Sequence, residues 1–504
     1  MNRRDFLRLS AAGALAGLAP RKLQSAEDKA PPNVLFFFVD DLRTQLGCYG
    51  AKTVKSPNID RLAREGMLFE TAYCQQAVCA PSRASVLSGW RPDSTGIYDL
   101  DHPLRSMHPD VVTLPQFFKQ AGYETVTIGK VYHHHDDDKA NWTRMPKAQG
   151  VGYALEENQA LIRKRHQEAK QQGLTGKALS RAARGPATEC ADVPDETYTD
   201  GSNARLAIQQ LGELKQAGKP FFMALGFVKP HLPFNSPKKY WDLYRREDFP
   251  VPPRTTPKGM PPMALTDFGE LRAYTDIPRQ RGPLDDDKTR ELIHGYHAAV
   301  SFTDANVGKV LDELDRLGLA DNTIVVLWGD HGWKLGDYGS WCKHTNFELD
   351  THVPLLFRGP GVSAGKRCKA LVEMVDVFPS LAELVGHKPP AHCEGESLKR
   401  LLAKPDGEWK NFAVSQYPRG PVMGYSARCD KWRYTEWVDR DGQIVARELY
   451  DHGAGPLATE NLADRPEQAE LVAGLSKRLK PYQRRKPAPT GGAGGKKGAK
   501  KKKE

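Results

Sequence analysis

Four stretches of this chain stop abruptly where polar, chemistry-bearing residues begin, and that repeated junction limits the fold more than any other feature. Val34-Leu35-Phe36-Phe37-Phe38-Val39 is continuously apolar and ends at Asp40-Asp41. Tyr123-Glu124-Thr125-Val126-Thr127-Ile128 is rich in β-formers and runs into Gly129-Lys130-Val131-Tyr132-His133. Pro220 to Phe227 delivers Lys229-Pro230-His231, and Asn322 to Trp328 ends at Gly329-Asp330-His331-Gly332. Runs without alternation suit strands covered on both faces, a property of parallel sheets. A parallel sheet brings its strand ends to one edge, where open α/β folds build their sites. The expectation is an α/β fold with a mostly parallel central sheet. Its carboxyl edge gathers Asp40, Asp41, Lys130, His133, His231, Asp330 and His331.

Helical spacing alternates with these strands. Ser56-Pro57-Asn58-Ile59-Asp60 opens a helix through about Phe69, with Ser56 as cap and Pro57 at the first helical position. Further helices are read from Thr113 to Gly122, from about Ser202 to Gln216, from Glu291 to Leu317 and near Phe378 to Val385, with one more strand at Val353–Arg358. Residues 150–200 are polar with little apolar stripe and read as an exposed insertion. Residues 250–290 are Pro-rich and irregular, a long loop of the kind that shapes a binding face. From about Glu408 the texture changes to short alternating stretches, with an Asp439-Arg440-Asp441-Gly442 turn between the last two, which predicts a small antiparallel sheet. The His133–Asp138 tract, His-His-His-Asp-Asp-Asp, reads mostly as a polar loop, and only His133 has a positional argument.

One segment implies a specific chemistry. Cys79, Pro81 and Arg83 form a C-x-P-x-R motif followed by helix-compatible small residues and Gly89. With Pro81 suited to a first helical turn, Cys79 falls just ahead of a helix N-terminus, whose free N–H groups favour anions. The motif resembles the signature of the type I sulfatases, in which this Cys is converted to formylglycine. The resemblance extends through Asp40-Asp41-Leu42-Arg43, Gly47-Cys48-Tyr49-Gly50, Ser56 to Asp60, Gln75 to Arg83, Arg91-Pro92-Asp93, Gly129-Lys130-Val131, Lys229-Pro230-His231, Asp330-His331-Gly332-Trp333 and Ser415-Gln416-Tyr417-Pro418. In these it is similar to the iduronate-2-sulfatase branch.

That resemblance implies an alkaline-phosphatase-like large domain over residues 31–405 and a small C-terminal subdomain over 406–483. It implies hydrolysis of a sulfate ester on a sugar, such as a 2-O-sulfated uronic acid or a related polysaccharide fragment, by a formylglycine hydrate. Ca²⁺ would be held by Asp40, Asp41, Asp330, His331 and residue 79, and a formylglycine-generating enzyme would act as maturation partner. The abundance of carboxylate oxygen independently suits Ca²⁺ or Mg²⁺ better than zinc. His331 either joins the ligands or orients the hydrate. Arg83, Lys130 and Lys343 are expected to offset charge on the sulfuryl group, and His133 and His231 to transfer protons. Mammalian members of the branch carry Tyr where this chain has His344, and regions 134–200 and 250–290 differ, so the sugar recognised is open. A phosphomonoester or phosphonate hydrolase on the same scaffold is the nearest alternative.

The formal charge of +11 sits at the two ends. Residues 1–30 carry +3 and residues 484–504 carry +8, which leaves the body neutral and argues against a nucleic-acid partner. The basic end, too poor in apolar residues to fold, is expected to be a disordered tail. A non-catalytic exported polyanion binder using that tail is the alternative from another class. Asn2-Arg3-Arg4-Asp5-Phe6-Leu7 followed by a short apolar run reads as a twin-arginine export signal over residues 1–30. That signal implies the twin-arginine translocase as partner and a periplasmic or extracellular destination. No run is long enough to span a membrane. The eight Cys lack the close pairs of a zinc ribbon or a dense disulfide framework.

Overall fold

A computed structural model describes residues 30–484. The export-signal residues up to 29 and the basic stretch from 485 onward lie outside the described residues.

The central sheet is built from β1 (Asn33–Val39), β2 (Met67–Tyr73), β3 (Glu124–Gly129), β4 (Phe221–Phe227), β5 (Thr323–Gly329), β6 (His352–Arg358) and the short β7 (Lys366–Cys368) and β8 (Val372–Glu373). Its order is β7-β2-β6-β5-β1-β4-β3, with β8 also on β2. The strands pair in parallel except at β6, which runs antiparallel to both β5 and β2. The sheet is therefore mixed but mostly parallel, as the apolar runs require.

The alternation of β1 distributes its side chains to two cores. Leu35, Phe37 and Val39 pack with α1 (Pro57–Glu65), α3 (Thr199–Ala217) and α4 (Asp286–Arg316). Val34, Phe36 and Phe38 pack on the opposite face with α2 (Cys79–Ser88), the Leu114–Gln120 helix and α5 (Val377–Leu384). Every residue of β1 is buried, which is why the run from Val34 to Val39 shows no polar positions.

Two readings change. The helix expected to reach Phe69 ends at Glu65, and Met67–Tyr73 is a strand of the sheet. Gly66 makes the switch: a Cβ there would fall 2.0 Å from the Phe357 carbonyl, so β2 can approach β6 only through glycine. Ser56 holds the N-cap position, but its hydroxyl accepts from the Gly47 N–H instead. The first N–H groups of α1, those of Asn58 and Ile59, donate to the Asp304 carboxylate of α4 at 3.0 and 2.7 Å. That bond ties two helices together while capping one.

A four-stranded antiparallel meander follows: β9 (Ala413–Arg419), β10 (Val422–Cys429), β11 (Trp432–Val438) and β12 (Ile444–Asp451). The Asp439 carboxylate accepts from the N–H groups of Asp441 and Gln443, which closes the expected turn. A C-terminal helix, α6 (Ala469–Leu479), which the sequence reading did not contain, buries Leu475 and Leu479 against this sheet. The meander is joined to the large unit through the buried Glu348 carboxylate, which meets Arg433 at 2.6 Å and Arg428 at 3.2 Å.

Candidate active site

The strand ends converge as their parallel order demands. The N–H groups of Asp40 and Asp330 donate to the Phe227 and Val39 carbonyls, and that of Lys130 to the Gly226 carbonyl, so β1, β3, β4 and β5 deliver their next residues side by side. Asp40, Asp41, Asp330 and His331 are fully buried there. The turn after β1 places Asp41 in the left-handed region at φ 60°, which swings its carboxylate back toward His331 and Lys343.

Cys79 is the first residue of α2 rather than the residue before it, and Val78 takes the cap position. Pro81 thus lies within the first turn, where its missing N–H costs nothing. The Cys79 Sγ lies 3.3 Å from Nε2 of His331 and 3.7 Å from Nζ of Lys130. Burial, with the Asp40 charge adding to it, pushes the thiol up to about 12 despite the two lysines. As a thiol it is protonated near neutrality and poorly nucleophilic.

Around the sulfur, burial alone would raise the Asp40 carboxyl. The charges of Lys130, His231 and Arg83 outweigh burial and hold it well below the usual carboxylate range. Asp41 goes the other way, pushed up by burial against the pull of Lys343. Asp40, Asp41, Cys79 and His331 each offer a ligand atom, and these atoms lie within 4.8 Å of one another, so the group could hold a metal ion. Asp330 borders it, accepting from the Asp41 N–H at 3.0 Å and lying 3.5 Å from His331. Three buried carboxylates in contact form a hard-oxygen donor set that fits a divalent cation such as Ca²⁺.

Arg83 is enclosed by these groups. Its guanidinium is 1% exposed and is spent on Asp330 at 2.9 Å, Asp40 at 3.4 Å and the Val131 carbonyl at 3.0 Å, with a further bond to the Lys130 carbonyl. It braces the carboxylates of Asp40 and Asp330. Lys130 pairs with Asp40, and Lys343 lies 3.1 Å from Asp41, its ammonium also 4.8 Å above the Trp333 ring. His133 stays near Lys130 without bonding to it; its Nδ1 is buried without a partner, and burial and Lys130 push the imidazole down to about 3. The rest of that tract is not simply a polar loop. Asp137 and Asp138 are buried, binding the Leu104 and Arg105 N–H groups and the Thr113, Tyr132 and Arg105 side chains, so that Asp137 serves the free N–H groups at the start of the Leu104–Met107 helix.

Glu270 was not anticipated. It enters from the irregular 250–290 stretch, and its carboxylate meets Lys343 at 3.0 Å, His231 at 3.0 Å and His344 at 3.4 Å. The opposing pulls of burial and of Lys343 and His231 leave it ionised, well below the usual range. The only signal was one of several acids in a loop of the kind that shapes a binding face. Nδ1 of His344 lies 2.7 Å from the Tyr417 hydroxyl on β9. β9 also supports the loop before Cys79: the Gln416 N–H donates to the Gln75 carbonyl at 2.7 Å, and the Ser415 hydroxyl to the Cys74 carbonyl at 2.6 Å.

Comparisons agree with this geometry. The family profile described as Sulfatase matches residues 32–387, and that described as N-sulphoglucosamine sulphohydrolase, C-terminal, matches 336–485. The chain is 35% identical to iduronate 2-sulfatase of Mus musculus over 525 aligned positions, covering 88% of this chain and 93% of the relative. It is 32% identical to a sulfatase of Formosa agariphila, covering 86% and 83%. Among solved structures, the phosphonate monoester hydrolase of Silicibacter pomeroyi superposes with a TM-score of 0.70 at 22% identity over 90% of this chain and 95% of that one. A 2-O GAG sulfatase superposes with a TM-score of 0.67, also at 22% identity, over 90% and 92%. At that identity the two structures speak for the alkaline-phosphatase-like fold alone. The sequence matches, which run through all four strand ends and the Cys79 helix, make this chain a member of the sulfatase family, hydrolases of sulfate esters.

Proposed function

We propose that the chain removes sulfate from a 2-O-sulfated uronic acid or a closely related unit of a sulfated polysaccharide fragment, after conversion of Cys79 to formylglycine. The observation that carries this reading is the placement of Cys79 at the head of α2, between Lys130 and His331 and beside three buried carboxylates. The iduronate 2-sulfatases of mouse and human, at 35% and 34% identity, support the sugar class.

Asp40, Asp41, Asp330 and His331, with residue 79, are the residues to hold Ca²⁺, which when bound supplies positive charge against the sulfate oxygens. Formylglycine, as its hydrate, supplies the attacking oxygen that an inert thiol cannot. The chain's own residues do the rest. Lys130 and Lys343 set positive charge on either side of residue 79, and Arg83 keeps Asp40 and Asp330 from shifting. His133 and His231, the latter held by Glu270, are the candidates for proton transfer, one at the hydrate and the other at the leaving sugar oxygen. Export by the twin-arginine route to the periplasm or the cell exterior, after contact with a formylglycine-generating enzyme, completes the reading.

Intact-peptide mass spectrometry across Cys79 on protein from its native host, followed by sulfate release from 2-O-sulfated uronic acid disaccharides, tests it. Formylglycine with sulfate release lost in Cys79→Ala is the expected result. An unmodified thiol on folded, exported protein removes the nucleophile and with it the reading.

A further inference from the structure

The loop that carries Glu270 also lines a concavity of about 500 Å³ whose wall is dominated by arginine. Arg165 comes from the Glu156–Gln171 helix and Arg181 from the Gly176–Ala182 helix. Arg272, Arg279 and Arg281 come from the loop that carries Glu270, and Asp267 is the single acid among them.

Little within the protein accounts for this gathering. Arg165 and Arg279 have no hydrogen bond or ion pair among the described residues, and the Nε atoms of Arg165 and Arg272 are buried without a partner. Arg281 reaches Asp267 only at 3.8 Å, with 87% of its side chain exposed. Arg181 gives one bond to the Gly269 carbonyl, and Arg272 is spent on the Pro278 and Gly282 carbonyls. Burial, with Arg281 adding to it, lowers the affinity of Arg272 for its proton despite Asp267. Like charges brought together without counter-charge are unfavourable in the free protein, and an anion would relieve them.

The position supplies the identity of that anion. Gly269 lies in the wall of the groove, and the next residue, Glu270, turns its carboxylate to His231 and Lys343. Adjacent residues of one loop thus face the arginine groove and the reacting residues, and that adjacency is the ground for assigning one extended ligand to both. Guanidinium forks match sulfate and carboxylate oxygens in paired hydrogen bonds. We infer that this groove binds the sulfate and carboxylate groups of neighbouring sugars in the same chain whose ester is cleaved. The preferred substrate is then a multiply charged oligosaccharide rather than a single sulfated unit. This rests on the sulfated-saccharide reading above.

Two measurements on the full chain test it. The first compares kcat/KM for a sulfated hexasaccharide with that for the matching disaccharide, in the wild type, Arg165→Ala, Arg279→Ala and Arg279→Glu. Each alanine variant is expected to lower the hexasaccharide-to-disaccharide ratio roughly 3- to 10-fold, and the glutamate variant further, as for loss of a charge-assisted hydrogen bond. A ratio unchanged in all three overturns the inference. The second is phenylglyoxal modification mapped by peptide mass spectrometry, with a heparin-derived hexasaccharide or its desulfated counterpart present. Protection of Arg279 and Arg281 by the sulfated probe alone is the expected result, and reaction at the unliganded rate overturns the inference. The footprint needs no turnover. Failure of the hydrolytic reading therefore shows separately, as absent sulfate release from every ester, while the protection pattern still decides the groove.

Discussion

Oε1 of Glu270 lies 3.0 Å from Nε2 of His231. The same carboxylate reaches Lys343 and His344, so three of the groups facing the reacting pocket take their orientation from a residue on an irregular loop. Glu270 bonds to those groups rather than to the Cys79 cluster, which makes it a positioning residue.

Glu270→Gln is expected to lower kcat by roughly 10- to 100-fold with a smaller change in KM, since general acid–base groups contribute ~10²–10⁴-fold and are here misaligned rather than removed. Glu270→Asp should recover part of the loss. Steady-state kinetics on one soluble sulfate ester checks both, and equal losses in the two variants would remove the orienting role.

Glu348→Ala should destabilise the protein by about 3–5 kcal/mol, because it leaves Arg428 and Arg433 buried without their counter-charge. Burial alone would raise the Glu348 carboxyl, yet these arginines hold it well below the usual range. Urea unfolding followed by intrinsic fluorescence gives the difference directly. A loss under about 1 kcal/mol, typical of surface sites, would show the pair to be solvated.

Chelation should lower the unfolding midpoint, and added Ca²⁺ should restore it. Saturating a site at 100 to 1,000 times its dissociation constant is worth about 3–4 kcal/mol. In Asp330→Asn, which removes one of three adjoining buried carboxylate charges, the Ca²⁺-dependent increment should shrink whatever the absolute midpoint. Scanning fluorimetry with chelator and with Ca²⁺ reads both quantities, and an increment kept intact in the variant would place the ion elsewhere.

Glu448 should give the fold an acid-favoured component. Burial pushes its carboxyl up to about 7, even though Tyr450 and Trp437 donate to it at 2.6 Å. A carboxyl raised above its unfolded value of 4.5 binds its proton more tightly when folded. The stability it lends is complete below that unfolded value and lost as pH rises through about 7. The span corresponds to about 3 kcal/mol at ~1.4 kcal/mol per pKa unit. Glu448→Gln should flatten stability between those pH values, as urea midpoints at several pH values would register.

Much of the strand-end cluster was legible because its signal is doubly written: each strand is a run rich in apolar residues or β-formers, and each run ends in carboxylate, lysine or histidine side chains. Asp40, Asp41, Lys130, His231, Asp330 and His331 were all placed that way. What escaped had no periodicity to carry it. Glu270 lies in a loop, where only the finished fold decides which acid turns inward. Met67-Leu68-Phe69 continued the apolar spacing of the helix before it, so the strand was hidden and only Gly66 betrayed it. For Arg83 the motif gives spacing but not the partners, Asp40 and Asp330, that its guanidinium takes in the fold. The direction of β6 was equally unwritten, since a short apolar run looks the same in either orientation.

The bonds from Ser415 and Gln416 to Cys74 and Gln75 carry one more implication. Ser415 follows Cys74 by 341 positions, so on the ribosome the loop bearing Cys79 emerges long before the strand that clasps it. Such distant pairing is slow to form, and until β9 arrives the loop lacks these two bonds. The segment before Cys79 therefore gains this support only once the C-terminal sheet has been made.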